Sequence, residues 1–318
     1  MTAAETILEM LMHNKSDFAD EIAVRVSSAT VIRRDEPLAK HTTLRVGGPA
    51  DLCVEPASEA DLAAVVRFCG ARGVPFFVIG RGSNLLVRDG GYRGVVIRLS
   101  HAGFSKIEFD GVRLSCGAGA KVKNVAIEAR RHGLSGLECF EGIPGSLGGA
   151  LRMNAGAMGG QTFDVVESVR VMDFDGNICE FEPPELSVKY RGCDTLKNHI
   201  ALGAVLKGRA DSPESIAQRM SAFSQKRWMS QPAAPSAGCA FKNPPSIPAG
   251  RLIEELGMKG ASVGGAVVSQ EHGNFIVNDG NATARDVLAL IALLQSKARA
   301  GRGIELHTEV EIIGEDPV

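Results

Sequence analysis

The stretch VPFFVIGRGSNLLV, Val74 to Val87, decides the fold class. Its first half is a short apolar run bounded by Pro75 and Gly80, which reads as a buried strand emptying into the loop Gly80-Arg81-Gly82-Ser83-Asn84. A dinucleotide fingerprint would need a third glycine and a helix opening directly after the loop. Here the third glycine is missing and Leu85 to Val87 reads as another strand, so the doubly wound reading fails. The loop can offer several backbone N–H groups, with Ser83 and Asn84 as side-chain donors, to a pyrophosphate. Gly82 would let the backbone come close to it. A tight connection between two buried strands is the plain alternative, and the loop alone leaves both open.

Upstream, Ser58-Glu59-Ala60-Asp61 has the form of a capping box, Leu62, Val65, Val66 and Cys69 follow at helical spacing, and Gly73 ends the helix. Downstream, a turn at Asp89-Gly90-Gly91 leads into a strand from Val95 to Leu99. Ile107 to Ser115 reads as a hairpin turning at Asp110-Gly111, Lys121 to His132 as a helix stopped by Gly133, and Val165 to Asp173 with Ile178 to Phe181 as a second hairpin around Asp175-Gly176. Ser212-Pro213-Glu214 starts a helix running to about Trp228. Beyond a Pro-rich loop (Gln231 to Pro235) the pattern gives a short helix (Arg251 to Leu256), a strand (Asn274 to Asn278), a long helix (Ala282 to Ala300) and a closing strand (Ile304 to Ile313). The class is α+β with mostly antiparallel pairing. Three parts are expected: residues 1–100, 101–210 and 211–318.

Composition narrows the function. The 318 residues carry 35 basic and 37 acidic side chains, a net charge of -2, so no broad basic field exists to draw nucleic acid or anionic lipid. The seven cysteines are scattered without a CxxC, which suits a reducing cytoplasm, and no histidine falls at metal-ligand spacing, so no metal is expected. The opening residues lack a basic signal region, and Val287 to Leu294, the longest apolar run, is far short of the ~20 residues a membrane span needs. Gly117-Ala118-Gly119-Ala120-Lys121 misses the phosphate-loop spacing, and no GxSxG elbow occurs. Glycine is the outlier, 37 residues in all, densest from Gly142 to Gly160. Gly142-Ile143-Pro144-Gly145-Ser146-Leu147-Gly148-Gly149-Ala150, then Met153-Asn154-Ala155-Gly156-Ala157, has few side chains with which to build a core. Such backbone can lie against a large flat cofactor.

Together the segments His41 to Ala50, Gly80 to Leu86, Gly142 to Gly149, Met153 to Gly156, Tyr190-Arg191, Phe241-Lys242-Asn243-Pro244 and Glu309-Val310 resemble the UDP-N-acetylenolpyruvoylglucosamine reductases, in order and spacing, from His41 to Gly314. The resemblance implies an FAD-binding domain of two lobes, of the vanillyl-alcohol oxidase type, clasping the flavin, and a C-terminal α+β domain closing over substrate. The short chain and the strand Asn274 to Asn278 look like the family's type II branch. FAD and NADPH are the implied cofactor and co-substrate, and UDP-N-acetylglucosamine enolpyruvate the substrate, in cytoplasmic peptidoglycan precursor synthesis. No nucleic-acid partner or membrane insertion is implied, and a monomer is the simplest state. Arg45, Gly80, Arg81, Gly82, Ser83, Asn84, Gly142, Pro144, Gly145, Ser146, Gly148, Gly149, Asn154, Ala155 and Gly156 are the implied FAD contacts.

Three positions match the family's catalytic motif residues: Arg191, Cys239 and Glu309. Arg191 suits a developing carboxylate or enolate, although a surface arginine is the plain alternative. Glu309 shares its face of the closing strand with Glu305, His307 and Glu311, so only the family's Glu-Val pattern singles it out. Cys239 stands where the family usually has a serine proton donor. A thiol is a stronger acid than an alcohol, so donation can survive the change, while the other six cysteines read as buried structural residues. Tyr190, Lys242, Asn243, Gln270, His272 and Asn274 are candidates for the substrate side. Two rivals remain open here: a superfamily oxidase acting on an alcohol, and a binding module without turnover.

Overall fold

The computed structural model describes residues 18–317; the amino-terminal residues read for a signal sequence lie largely outside them. The chain separates into two units. Of the described residues, one comprises 18–36, 50–80 and 93–219, the other 37–49, 81–92 and 220–317.

The first unit is built on two larger sheets, with three two-stranded ladders beside them among the described residues. Its four-stranded sheet has the order Val31–Pro37, Pro49–Glu55, Tyr92–Arg98, Phe76–Ile79, the last two strands parallel with Phe76 opposite Val95. The helix Glu59–Arg72 covers this sheet because Leu62, Val65, Val66 and Phe68 fall on one face and are buried with Leu52, Val54, Val95 and Ile97. Ser58 caps it by accepting from the Asp61 N–H at 3.1 Å, and Gly73 ends it at φ 62. The second half of the expected box goes elsewhere: the Asp61 carboxylate accepts from the Ser27 N–H (2.7 Å) and hydroxyl (2.8 Å).

The five-stranded sheet is antiparallel, in the order Ile178–Phe181, Val166–Met172, Ile200–Lys207, Arg113–Gly117, Ile107–Asp110. Both expected hairpins are present in it. The glycine-rich stretch departs from the expectation of a coreless run: Leu147–Arg152 is a short helix, with Leu147, Ala150 and Leu151 buried. Three apolar side chains on one turn are enough to seat it.

In the second unit, Ser236–Cys239, Phe275–Asn278, Ala266–Val268 and Ser262–Val263 form a sheet under the helix Ala284–Arg302. That helix has a full capping box between Thr283 and Asp286, and the Asp89 carboxylate accepts from the N–H groups of Ala284 (2.8 Å) and Arg285 (2.9 Å). The closing strand is shorter than its alternation suggests. Only Glu311–Ile313 forms a ladder, parallel to Leu85–Val87. Residues before it keep the alternation, Leu306 and Val310 buried, but spend their backbone on the 240–242 segment instead. The parallel pair also explains why 81–92 groups with the carboxy-terminal residues. Among the described residues no helix is long and apolar enough to cross a membrane, and no cluster of His, Cys, Asp and Glu could hold a metal ion.

Candidate functional site

In the first unit the two glycine-rich stretches meet. A Cβ on Gly80 would collide with Ser146 Oγ, so the absence of a side chain at residue 80 leaves that hydroxyl its place between the loops. Gly149 is exposed, and a Cβ there would find nothing nearer than Ser146 Oγ at 3.7 Å. Gly80 and Pro144 are likewise exposed. Not every N–H of the stretch is available: Leu147 and Gly148 donate to Ala120 O (2.9 Å) and Ala118 O (2.8 Å). What remains open is a surface of backbone nearly bare of side chains, which fits the flat ring system and pyrophosphate of a flavin nucleotide.

Arg191 lies in the same unit. It occupies the two-residue turn between Val188–Lys189 and Gly192–Cys193, with a φ of 55, a left-handed conformation that costs a non-glycine residue of order 1–3 kcal/mol. Its guanidinium stacks on the exposed Tyr190 ring at 4.9 Å, and Nη1 stands 3.2 Å from where a Cβ on Gly156 would be. Asn154 ties this turn to the glycine stretch. Its Nδ2 donates to Lys189 O and Gln161 Oε1, each at 3.2 Å, and its Oδ1 accepts from the Phe163 N–H. Asn154 is therefore engaged with protein on both sides of its amide, at 3% exposure. Below the turn, the ammonium groups of Lys189 and Lys197 pair with Asp194 and hold its carboxyl down at about 2.

The second unit gathers Cys239, Glu309 and Asn84. Gly238, at φ 74, lies where an extra residue bulges the strand before Cys239. The Glu309 N–H donates to Ala240 O at 2.8 Å, and Asn84 Nδ2 donates to Glu309 O at 3.1 Å. The Glu311 N–H closes the ring onto Asn84 O at 3.0 Å. Glu309 is thus held at both of its backbone polar groups, one beside Cys239 and the other by the glycine loop.

Packing requires a glycine at position 82: at φ 59, a Cβ would strike His41 O and Thr42 Cα. Arg45 is exposed at φ 59. Lys242 is exposed with its N–H on His307 O, and Asn243 Oδ1 accepts from the Ala249 N–H at 3.0 Å, securing a helix start. Gln270 is exposed, its side chain against Gly260. His272 accepts from the Asn274 N–H through Nδ1, and burial, with Lys259 nearby, holds its pKa below the usual range. Asn274 is buried at 2% exposure with its amide on Phe241. Sequence reasoning gave Thr43 no role, yet its hydroxyl donates to Ser236 O at 2.6 Å and reaches Gly82 O at 3.3 Å. The only signal for it was its place in the HTTLRVGG segment.

The cysteines separate as well. Burial pushes the thiols of Cys53 and Cys139 up to about 11, and those of Cys69 and Cys116 up to about 12. Cys193 is buried and raised too, but Cys179 is exposed, contrary to the expectation that all six would be buried. Cys239 is half-exposed.

Residues 50–182 match an FAD binding domain, and residues 231–313 match the C-terminal domain of UDP-N-acetylenolpyruvoylglucosamine reductase. A protein of that name from Syntrophomonas wolfei is 42% identical over 287 residues, 90% of this chain and 96% of its own. One from Heliobacterium modesticaldum is 47% identical over 285 residues, 89% and 90% of the two chains. The crystal structure of the Thermus caldophilus enzyme superposes with a TM-score of 0.78 at 40% identity, over 90% of this chain and 99% of that one. The chain belongs to the UDP-N-acetylenolpyruvoylglucosamine reductase family. Its class is therefore that of a flavin-dependent oxidoreductase with FAD as cofactor. The FAD-binding match encloses both glycine stretches, and the reductase C-terminal match encloses Cys239, Asn274 and Glu309. Tyr190 and Arg191 fall between the two matches.

Proposed function

We propose that this chain reduces the enolpyruvyl group of UDP-N-acetylglucosamine enolpyruvate to give UDP-N-acetylmuramate, with NADPH as reductant. The observation that carries the reading is the hydrogen bond from the Glu309 N–H to Ala240 O, which sets Glu309 and Cys239 on adjoining backbone inside the reductase C-terminal domain. When bound, FAD supplies a two-electron carrier that separates oxidation of NADPH from reduction of the sugar. The bare backbone at Gly80, Gly145 and Gly149 would hold it, with Ser146 as a side-chain donor.

Reduction of the enolpyruvyl double bond develops negative charge toward the substrate carboxylate. Arg191, always cationic and fixed in a strained turn, is the group assigned to that charge. Glu309 is assigned to the same intermediate, and Cys239 donates the proton to the adjacent carbon. Of the seven cysteines only Cys239 is both accessible and in the reductase domain. Tyr190 and Lys242 are further candidates for binding substrate. Functional lobes are proposed at residues 1–100, 101–210 and 211–318, with the segments 37–49 and 81–92 of the first packing with the third. The separate four- and five-stranded sheets support the first division. The reaction is placed in the cytoplasm, on a monomer, with no membrane or nucleic-acid partner.

The test is product identification. Purified protein with FAD, NADPH and the enolpyruvyl UDP-sugar should yield a UDP-sugar heavier by two hydrogens, at the expense of one NADPH. Reoxidation of reduced flavin by oxygen with no consumption of the sugar would favour an oxidase. Flavin binding without reduction by NADPH or NADH would favour a binding module.

A further inference from the structure

We infer that Asn274 is a positioning residue for the substrate-reducing step: its side-chain amide fixes the chain segment carrying Cys239 against the segment carrying Glu309. The inference rests on the roles proposed above for those two residues. Regular pairing runs out at this point in the sheet. Ser236 stands opposite Val277 and Cys239 opposite Phe275, with one extra residue between them. One residue on, the Ala240 N–H still donates to Asn274 O at 2.8 Å. Phe241 then receives its partner from a side chain: Asn274 Oδ1 accepts from the Phe241 N–H at 2.9 Å, and Nδ2 donates to Phe241 O at 2.7 Å. A single amide thus replaces a missing rung of the strand ladder.

Burial makes the replacement necessary. Phe241 is 0% and Asn274 2% exposed, so water cannot easily take over, and an apolar residue at 274 would leave a buried donor and acceptor unpaired. The opposite edge of the same segment belongs to the Glu309 chain. The Glu309 N–H donates to Ala240 O and the Lys242 N–H to His307 O (2.9 Å), around an antiparallel bridge between Phe241 and Thr308. Asn274 therefore holds one edge of residues 240–242 while the Glu309 chain reads the other. With its amide committed to Phe241, Asn274 acts through backbone rather than on substrate.

The experiment compares FAD-loaded parent, Asn274→Ala and Asn274→Asp in the two half-reactions under anaerobic conditions. Asp keeps an acceptor for the Phe241 N–H but cannot donate to Phe241 O when ionised. Flavin reduction by NADPH should be unchanged, and reoxidation at saturating enolpyruvyl UDP-sugar should fall by ~10²-fold with little change in the half-saturating concentration, as expected for a displacement near the chemistry. Iodoacetamide should alkylate Cys239 at an altered rate in both variants and Cys179 at the parental rate. A parental saturating rate with a raised half-saturating concentration would make Asn274 a substrate contact and overturn the inference. Equal slowing of both half-reactions, or failure of both variants to fold and retain FAD, would overturn it in favour of a purely structural role. A parent that cannot turn over the sugar refutes the functional reading separately; unchanged Cys239 alkylation in the variants would still refute the clamp.

Discussion

Arg191 and Glu309 are single residues whose backbones are constrained more tightly than ordinary surface positions need. Arg191 keeps a left-handed φ of 55 in a two-residue turn, and Glu309 has both its N–H and its C=O engaged. Replacing Arg191 by Ala, or Glu309 by Gln, is expected to slow flavin reoxidation by the enolpyruvyl sugar by ~10²-fold to 10³-fold, the usual cost of one preorganised electrostatic contact. Reduction by NADPH should be spared; rapid-mixing absorbance of the two half-reactions checks it. Equal losses in both would assign these residues to folding or to cofactor retention. The thiols make a second prediction at this scale. With four held at about 11 or 12 and Cys193 buried, alkylation at neutral pH should be confined to Cys239 and Cys179, and mass mapping should find only Cys239 protected by bound sugar. Cys179, exposed but raised by burial and by Asp173, is the internal control.

Among the elements, the helix Glu59–Arg72 has a pH-sensitive anchor in Asp61. Burial pushes the Asp61 carboxyl up, but hydrogen bonds from the Ser27 N–H, the Ser27 hydroxyl and the Ser58 hydroxyl outweigh it and hold the pKa below the ordinary value. A depressed carboxyl contributes stability above its unfolded pKa of ~3.9 and loses it as pH falls through the folded value. Asp61→Asn should therefore cost about 1 kcal/mol at neutral pH. Urea unfolding should show that gap closing as the pH is taken below ~4; a pH-independent gap would refute the assignment. This helix, the one starting at Pro213 and the one capped by Thr283 were legible because cap, period and terminal glycine or proline agree locally. The short helix Leu147–Arg152 was not, since glycines hide a one-turn apolar face. Nor was the true length of the last strand, because the partner of residues 307–309 is an irregular segment more than sixty residues away in sequence. The candidate site was legible as residues and not as contacts: nothing in the spacing tells that Asn84 reaches Glu309, or that Asn274 pairs with Phe241.

For the whole molecule, the structure changes which glycine tests cofactor binding. Gly82 packs on its own unit's backbone, so a bulky residue there should damage the fold whether or not FAD is near. Gly149→Ala is the cleaner probe, since residue 149 is exposed in a short helix and its Cβ would make only ordinary van der Waals contact. It should fold with parental stability and retain less FAD on gel filtration; parental retention would move the flavin off this surface. The central claim is that the chain divides its reaction into two half-reactions and that Cys239 serves only the second. Cys239→Ala, loaded with FAD and reduced by NADPH, tests it most directly in a single turnover with the enolpyruvyl sugar. Reduction by NADPH should run at the parental rate, reoxidation by the sugar should slow by ~10²-fold to 10⁴-fold, the range for a positioned general acid, and Cys239→Ser should restore it. Reoxidation of Cys239→Ala at the parental rate would contradict the account and leave Cys239 a packing residue.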